Sequence, residues 1–146
     1  MVVAAAAEAP CAAATGDLPL ITLLIPLYRE ADVLPDLVGA IDRLDYPAGR
    51  LDVKLLIEAD DAETMQVAQA MQAHRRFDVI PVPPGAPRTK PKALNYGLHF
   101  ARGDIVAIFD AEDRPARNQL RAAVEAFRTG HRNLAVVQAP LSIHNG

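Results

Sequence analysis

Three carboxylates follow a short apolar segment in the second half of the chain. Residues 105–109 are all Ile, Val, Ala or Phe, which predicts a strand buried on both faces, as in a parallel sheet. Asp110, Glu112 and Asp113 come directly after it. Because side chains alternate along a strand, Asp110 and Glu112 point to the same side if the chain stays extended.

Carboxylates that project together repel each other, and a divalent cation removes this repulsion. Their hard oxygen atoms suit Mg²⁺ or Mn²⁺, which often bind one or two carboxylates together with substrate phosphates. The sequence therefore predicts a metal site with Asp110, Glu112 and Asp113 as candidate ligands. The alternative is that Asp113 caps a helix that starts near Pro115 and that the other acids are solvated.

Three cations, Arg88, Lys90 and Lys92, lie at the start of a predicted helix that has Pro91 in its first turn and runs through Phe100. Cations at a helix N-terminus oppose the helix dipole, so helix stability does not explain them. An anion bound at that terminus does explain them, since the backbone N–H groups also face it. The alternative is a solvated basic loop.

Two further polar turns follow predicted strands. The first contains Pro26, Tyr28, Arg29 and Glu30, and the second contains Glu58, Asp60 and Asp61. Either aspartate of the second turn is able to cap the next helix, and Asp60 with Glu63 has the spacing of a capping box. These turns supply candidate substrate-binding residues: Pro26, Tyr28, Glu30, Glu58 and Asp60.

The elements that must position these residues alternate along the chain. Apolar runs predict strands at 20–27, 52–57, 77–82, 105–109 and 134–139, and helical spacing predicts helices at 33–44, 62–74 and 120–127. The helix that begins with Pro91 in its first turn and runs through Phe100 is the fourth. Alternation of this kind predicts an α/β fold with a mostly parallel, doubly wound sheet and helices on both faces. Ligands of such sheets bind outside the carboxyl ends of the strands, where all four polar clusters fall.

Composition excludes several other classes. The chain has 146 residues and a net charge of −3, so no basic field suggests a nucleic-acid partner. A single cysteine, Cys11, rules out an internal disulfide. No apolar run approaches the roughly 18 residues that span a bilayer. Residues 1–17 are rich in alanine and lack a basic n-region, and we expect a disordered leader there rather than a signal peptide.

Two nucleotide-binding motifs that the sequence lacks narrow the class of ligand that we expect. No GxGxxG follows the first strand and no GxxxxGK[ST] occurs, which argues against a nicotinamide-binding Rossmann domain and a P-loop protein. A metal beside Arg and Lys side chains suits a nucleoside diphosphate, with the metal on the pyrophosphate.

Four segments resemble family 2 glycosyltransferases of the GT-A fold. ITLLIPLYRE resembles their first strand and turn, LLIEADDAET their second strand and acidic turn, RTKPKALNYGL their Lys-Ala-x-Asn segment, and ARGDIVAIFDAED their small-Gly-Asp strand with a DxD motif. RTKPKALN together with DAEDRP is most similar to the membrane-bound, cellulose-synthase-like subgroup. The resemblance covers the chain from about Leu20 onward.

The resemblance implies site roles. Asp110 and a second acid, Glu112 or Asp113, would hold Mg²⁺ or Mn²⁺ on the diphosphate of a nucleotide sugar, expected to be UDP-linked. Glu58 or Asp60 would bind uracil, and Lys92 would contact the nucleotide or its phosphates. The metal then acts as a Lewis acid toward the leaving diphosphate.

The resemblance also sets expectations for the larger protein. Residues 18–146 would be the nucleotide-sugar-binding part of a truncated GT-A domain, with the general base beyond Gly146. Transfer would be inverting, to a glycan, lipid-linked or other hydroxyl acceptor, and this segment alone would be inactive. The full-length enzyme would be membrane-embedded and work at the cytoplasmic face. The rival interpretations are a nucleotidyltransferase and a non-catalytic nucleotide-binding or interaction module.

Overall fold

The structure is a computed structural model that describes residues 2–5, 18–73, 77–85, 89–129 and 136–138. Its strands are β1 (Val2–Ala5), β2 (Ile21–Leu27), β3 (Leu51–Glu58), β4 (Asp78–Val82), β5 (Ile105–Ile108) and β6 (Val136–Gln138). Its helices are α1 (Leu34–Asp42), α2 (Ala62–Gln72), α3 (Lys90–Leu98) and α4 (Gln119–Thr129), with a 3₁₀ turn at Ala48–Arg50.

The strands form one sheet in the order β4-β3-β2-β5-β1-β6. The pairs β2–β3, β3–β4 and β2–β5 are parallel, and β1 runs antiparallel to both β5 and β6. The chain moves outward from β2 to β4 and then returns across the sheet to β5, so the strand order reverses between β2 and β5. The predicted α/β fold with a mostly parallel, doubly wound sheet is confirmed.

Helices cover both faces of this sheet. Apolar residues of α1, α2 and α4 share one core cluster with side chains from β2, β3 and β5, including Leu23, Leu55 and the fully buried Phe109. Helix α3 covers the opposite face, where Ala93 packs with residues of three strands, namely Leu24, Leu56 and Val82. The return from β4 to β5 explains this placement, because a crossover in the reverse direction lies on the other face when its handedness is kept.

Pro26 lies buried inside the central strand β2, where a residue without an N–H group would ordinarily break a ladder. The carbonyl of Leu24 accepts from the N–H of Phe109. The backbone groups of every second residue of β2 point to the same neighbouring strand, so those of Leu24 and Pro26 face β5. The ladder with β5 ends at Leu24. Pro26 therefore faces the side on which no β5 partner remains, and its missing donor costs no ladder hydrogen bond.

A buried ionic network lies at the amino ends of the strands, beneath the α3–β5 connection. Lys54 pairs with Asp52 at 2.8 Å and also with Asp78. Thr22 donates its hydroxyl to Asp52 at 2.8 Å, and the Arg102 guanidinium lies 3.1 Å from the other oxygen of Asp52. Burial alone would raise the pKa of Asp52, but hydrogen bonds from Lys54, Thr22 and Arg102 outweigh it and lower that pKa.

Gly103, in the same connection, lies against the backbone of β2. A Cβ atom there would lie 2.5 Å from the Thr22 nitrogen and 2.8 Å from the Leu20 carbonyl oxygen. The Gly103 N–H donates to the Thr22 hydroxyl at 2.8 Å. The small-Gly-Asp pattern of the sequence thus has a steric cause, since only glycine allows this close approach.

Four details differ from the sequence-based expectations. Residues 2–5, expected within a disordered leader, form β1 because β5 and β6 supply backbone partners on both sides. Helix α4 begins at Gln119 rather than near Pro115. Strand β5 is fully buried only at alternate residues. The chain also turns after β5 instead of staying extended, because the Asp113 N–H bonds to the Asp110 carbonyl at 3.0 Å.

The other predicted elements agree with the structure to within about two residues, including helix 33–44, whose sequence pattern continues two residues past the observed end of α1. Residues 74–76 and 86–88, and with them Arg88 and the predicted end of α2 at His74, lie outside the described residues, as do residues 1 and 6–17. Within the described part of the chain, every helix is too short or too polar to cross a membrane.

Candidate functional site

The carboxyl ends of β2, β3, β4 and β5 lie at one edge of the sheet because these four strands are parallel. The turns that follow β2 and β5 flank the point at which the strand order reverses, which is where open α/β sheets bind their ligands. Glu30 belongs to the first of these turns and Asp110 to the second. The topology therefore brings together residues that are 80 positions apart in the sequence.

The turn after β2 is held by residues at the start of α2. Arg29 has a φ of 53°, in the left-handed region, and its N–H donates to Asp61 Oδ2 at 2.6 Å. Asp61 is also the N-cap of α2, accepting from the Thr64 N–H, while the Thr64 hydroxyl accepts from the Glu30 N–H at 3.2 Å. Burial would raise the pKa of Asp61, but these hydrogen bonds outweigh it and lower that pKa.

Asp61 is thus the capping residue, which settles the alternative that the sequence left open between Asp60 and Asp61. Sequence reasoning recognised its capping role but missed that Asp61 and Thr64 position the neighbouring turn, since no local pattern reveals a contact across 32 residues. Tyr28 is exposed on this turn, with the Arg29 guanidinium 5.2 Å from its ring centroid, a cation–π distance.

An ammonium group at this edge pairs with one carboxylate and is also acted on by the charges of two others. Lys90 Nζ is 2.7 Å from Asp110 Oδ1, and the charges of Glu30 and Glu112 also act on it. The hydrogen bond to Asp110 raises the pKa of Lys90, attraction to the three acids adds to this, and partial burial opposes it. Burial raises the pKa of Glu30; a backbone hydrogen bond at Tyr28 and the Lys90 charge oppose the rise, while Glu112 and Asp110 add to it.

Asp113 shapes the turn that presents Asp110. Its Oδ2 accepts from the Asp110 N–H at 2.8 Å, and its own N–H bonds to the Asp110 carbonyl. Asp113 therefore neither caps a helix near Pro115 nor lies in an extended strand. One oxygen of its carboxylate is turned toward the backbone, whereas Glu112 and Glu30 are the acids whose charges act on Lys90 beside Asp110.

The donor set fits a small divalent cation. Asp110 and Glu112 are exposed carboxylates; Asp110 pairs with the Lys90 ammonium, and the charge of Glu112 also acts on it. Carboxylate oxygen atoms of this kind are the ligands of Mg²⁺ and Mn²⁺. Among the described residues no group of three or more His, Cys, Asp or Glu side chains is placed to hold a metal by itself. A metal held here would take further oxygen ligands from its substrate or from water, which is common for Mg²⁺.

A second polar pair lies at the end of β3. The Glu58 side chain is only 7% exposed, and Lys92 Nζ is 3.6 Å from its Oε2. That oxygen has no hydrogen-bond partner within the described part of the protein. Lys92 also donates to the Gly85 carbonyl at 3.0 Å and so ties the β4–α3 loop to the start of α3.

The structure thus gathers Glu30, Lys90, Asp110 and Glu112 into one cluster and pairs Glu58 with Lys92. Asp60 is exposed in the turn between β3 and α2, and Pro26 is buried in β2. Arg88 lies outside the described residues.

Comparisons with known proteins identify the family of the chain. The glycosyltransferase-like family 2 model matches residues 19–146. The probable glycosyltransferase YdaM of Bacillus subtilis is 29% identical over 103 residues, which cover 69% of this chain and 24% of YdaM. A bacterial cellulose synthase is also among the curated relatives. The chain spans about a quarter of the length of the curated relatives it matches first.

Two solved structures show the fold. The mannosyltransferase PcManGT of Pyrobaculum calidifontis, in complex with GDP-Man and Mn²⁺, superposes with a TM-score of 0.67 and 31% identity, covering 77% of this chain and 33% of its own. The TarS fragment 1–349 of S. aureus, in complex with UDP-GlcNAc, gives 0.60 with 18% identity, covering 73% and 30%. Since the strand order, the acidic edge and the family model all agree, the chain belongs to glycosyltransferase-like family 2, with the GT-A fold.

Proposed function

We propose that residues 18–146 bind a nucleoside diphosphate sugar, the donor for inverting glycosyl transfer to a glycan or other hydroxyl acceptor, through a divalent metal held by Asp110 and Glu112. The observation that carries the proposal is the ion pair between Lys90 and Asp110 at the switch point of the sheet, on which the charges of Glu30 and Glu112 also act. Support also comes from PcManGT, whose complex contains GDP-Man and Mn²⁺.

The residues at this edge have distinct roles in the proposal. Asp110 and Glu112 hold the metal, which when bound would neutralise charge that develops on the leaving diphosphate. Asp113 fixes the turn that presents Asp110, since its carboxylate accepts from the Asp110 N–H. Lys90 supplies a positive charge to the diphosphate from the first residue of α3.

Glu58 is the better supported of the two acids proposed to bind the base. Its Oε2 is buried, and no hydrogen bond to it is formed within the described residues. A buried acceptor in this state is able to take a donor N–H from a nucleobase, and both uracil and guanine have one on the pairing edge. The resemblance favours UDP, whereas the PcManGT complex contains a guanine nucleotide, so both nucleotides belong in the test.

Isothermal titration of UDP and of GDP into the 146-residue chain, each with Mn²⁺ and with EDTA, tests the proposal. We expect one of the two to bind in Mn²⁺, and we expect EDTA or Asp110→Asn to weaken that binding by roughly tenfold or more. The matched control is Asp45→Asn, because Asp45 has similar exposure and pairs with Arg121 rather than with a site residue. Binding that persists at full strength in EDTA, or that Asp45→Asn weakens as much as Asp110→Asn does, would contradict it.

A further inference from the structure

We propose that Lys90 is a built-in counter-ion that excludes free divalent metal from Asp110 until a diphosphate draws its ammonium group away. The inference rests on the proposed function above and adds a regulatory step at the same site: metal and nucleotide enter together, and neither binds strongly alone. It is derived from the contact between Lys90 and Asp110, on which the charges of Glu30 and Glu112 also act.

The contact distance makes the two cations mutually exclusive at one oxygen of Asp110, Oδ1. Lys90 Nζ is 2.7 Å from Asp110 Oδ1, a full charge-assisted hydrogen bond. A Mg²⁺ or Mn²⁺ ion on the same oxygen would lie at about 2.0–2.2 Å from it. The ammonium and the metal would then be within a few ångströms of each other, where like charges repel strongly. One of them must leave.

Lys90 is free to be the one that leaves. The side chains of Lys90 and Asp110 are 59% and 51% exposed, and an ion pair this exposed is weak. The helix itself does not depend on Lys90, because Thr89 caps α3 by accepting from the Lys92 N–H, and a cation at the first helical residue opposes the dipole. The long side chain can therefore swing to a phosphate while α3 stays in place.

The charge balance of the cluster favours joint binding. Glu30, Asp110 and Glu112 together with the Lys90 ammonium carry two net negative charges when all are ionised. A divalent metal and the diphosphate of a nucleotide sugar cancel each other, so their joint entry leaves this balance unchanged. A diphosphate alone adds to the negative charge, and metal alone must displace the ammonium from Asp110 without giving it a new partner.

The test measures Mn²⁺ and nucleotide binding separately in Lys90→Gln, Lys90→Arg and the distant control Arg121→Gln. Free Mn²⁺ is followed by electron paramagnetic resonance in the absence of nucleotide, and nucleotide binding by calorimetry at saturating Mn²⁺. For Lys90→Gln we expect Mn²⁺ alone to bind roughly three- to tenfold tighter, and nucleotide to bind several-fold weaker. Lys90→Arg keeps the charge, so both affinities should stay close to those of the parent chain.

Tighter binding of Mn²⁺ together with weaker binding of nucleotide in Lys90→Gln is the result that supports the inference. Mn²⁺ affinity that is unchanged or weaker in Lys90→Gln, or absent in every form of the chain, overturns the inference. Nucleotide affinity that is unchanged or stronger overturns the role of the diphosphate in drawing Lys90 away. Nucleotide binding that requires Asp110 and Mn²⁺ in the parent chain upholds the proposed function even where the Lys90 inference fails, so the two failures are distinguishable. A cooperative thermal unfolding transition, measured for each variant, is the control for correct folding.

Discussion

At the scale of single residues, the Glu58–Lys92 pair affects the stability of the protein more than an exposed ion pair would. Glu58 Oε2 is buried, and Lys92 Nζ lies 3.6 Å from it, too far for a hydrogen bond. Removing one partner of a buried pair leaves an uncompensated charge, which is costlier than losing the pair itself. The stability of the α3 face therefore depends on Lys92, in addition to any contact of Lys92 with a ligand.

We predict that Lys92→Met lowers the free energy of unfolding by about 2 kcal/mol, because Glu58 then stays buried without its counter-ion. Adding Glu58→Gln to this variant should restore roughly half of the loss or more, since the uncompensated charge is gone. Urea unfolding of the two single variants and the double variant, analysed as a double-mutant cycle, measures both effects. Strictly additive changes would show that the two side chains are not coupled.

The sequence predicted the residue types of the site better than their partners. Asp110, Glu112, Lys90 and Glu30 were identified from their positions after strands or at a helix start, and the structure brings them together. The carboxylate of Asp113 turns back onto the Asp110 N–H, a contact that requires a turn where an extended chain was expected. Spacing specifies which face a residue lies on only while the secondary structure continues.

At the scale of elements, the α3–β5 connection decides how β5 enters the sheet. It approaches the backbone of β2 so closely at Gly103 that any side chain there would meet main-chain atoms, which cannot rotate away. Since β5 leads directly to Asp110, a displaced connection would also displace the acidic turn.

We predict that Gly103→Ala lowers the free energy of unfolding by about 1–3 kcal/mol through overpacking against β2. Gly49→Ala is the matched control, because a Cβ there would meet nothing within 4 Å. That control should leave stability unchanged or raise it slightly, as the unfolded chain loses freedom. Thermal and urea unfolding of the two variants give the comparison, and equal effects would rule out the steric explanation.

Helices and strands were predictable from the sequence where their apolar residues form a regular spacing or an uninterrupted run. Helices α1, α2 and α4 have apolar residues at helical spacing, strands β2 to β5 have apolar runs, and α3 was expected from Pro91 in its first turn; all lie close to their expected bounds. Strand β1 was not expected because an alanine-rich segment carries no period of two, and its pairing depends on β5 and β6, which lie far along the chain. The start of α4 was placed early because Pro115 suits a first helical turn but does not require one.

At the scale of the whole molecule, the face covered by α3 carries charge at both ends and apolar packing between. The Asp52–Lys54 network lies at the amino ends of the strands, the Glu58–Lys92 pair lies at the carboxyl ends, and Leu24 and Leu56 pack between them. The network at the amino ends is remote from the acidic edge, so it should act on global stability without acting on ligand binding.

We predict that Asp52→Asn lowers the free energy of unfolding by about 3 kcal/mol at pH 7, because Lys54 loses its buried partner. The pKa of Asp52 is lower in the folded chain, so its contribution is complete above its unfolded value of about 4 and is lost as the pH falls through the folded pKa. The difference between parent and variant should therefore narrow as the pH falls below about 4.

Urea unfolding between pH 7 and pH 3 measures this difference. Asp78→Asn is the control, because Asp78 is half exposed, and we expect it to cost about 1 kcal/mol or less. A difference between parent and Asp52→Asn that stays constant over this range would contradict the assigned role of the Asp52 carboxylate.

The hydrogen bonds from Arg29 and Thr64 to Asp61 have a consequence for how a ligand is received. They fix the left-handed turn after β2 and the start of α2 as one unit while the chain folds. The backbone of this turn therefore loses its conformational entropy when the chain folds and not when a ligand binds. A ligand that arrives there meets a preorganised surface, and the affinity it gains from each contact is not reduced by the ordering of a loop.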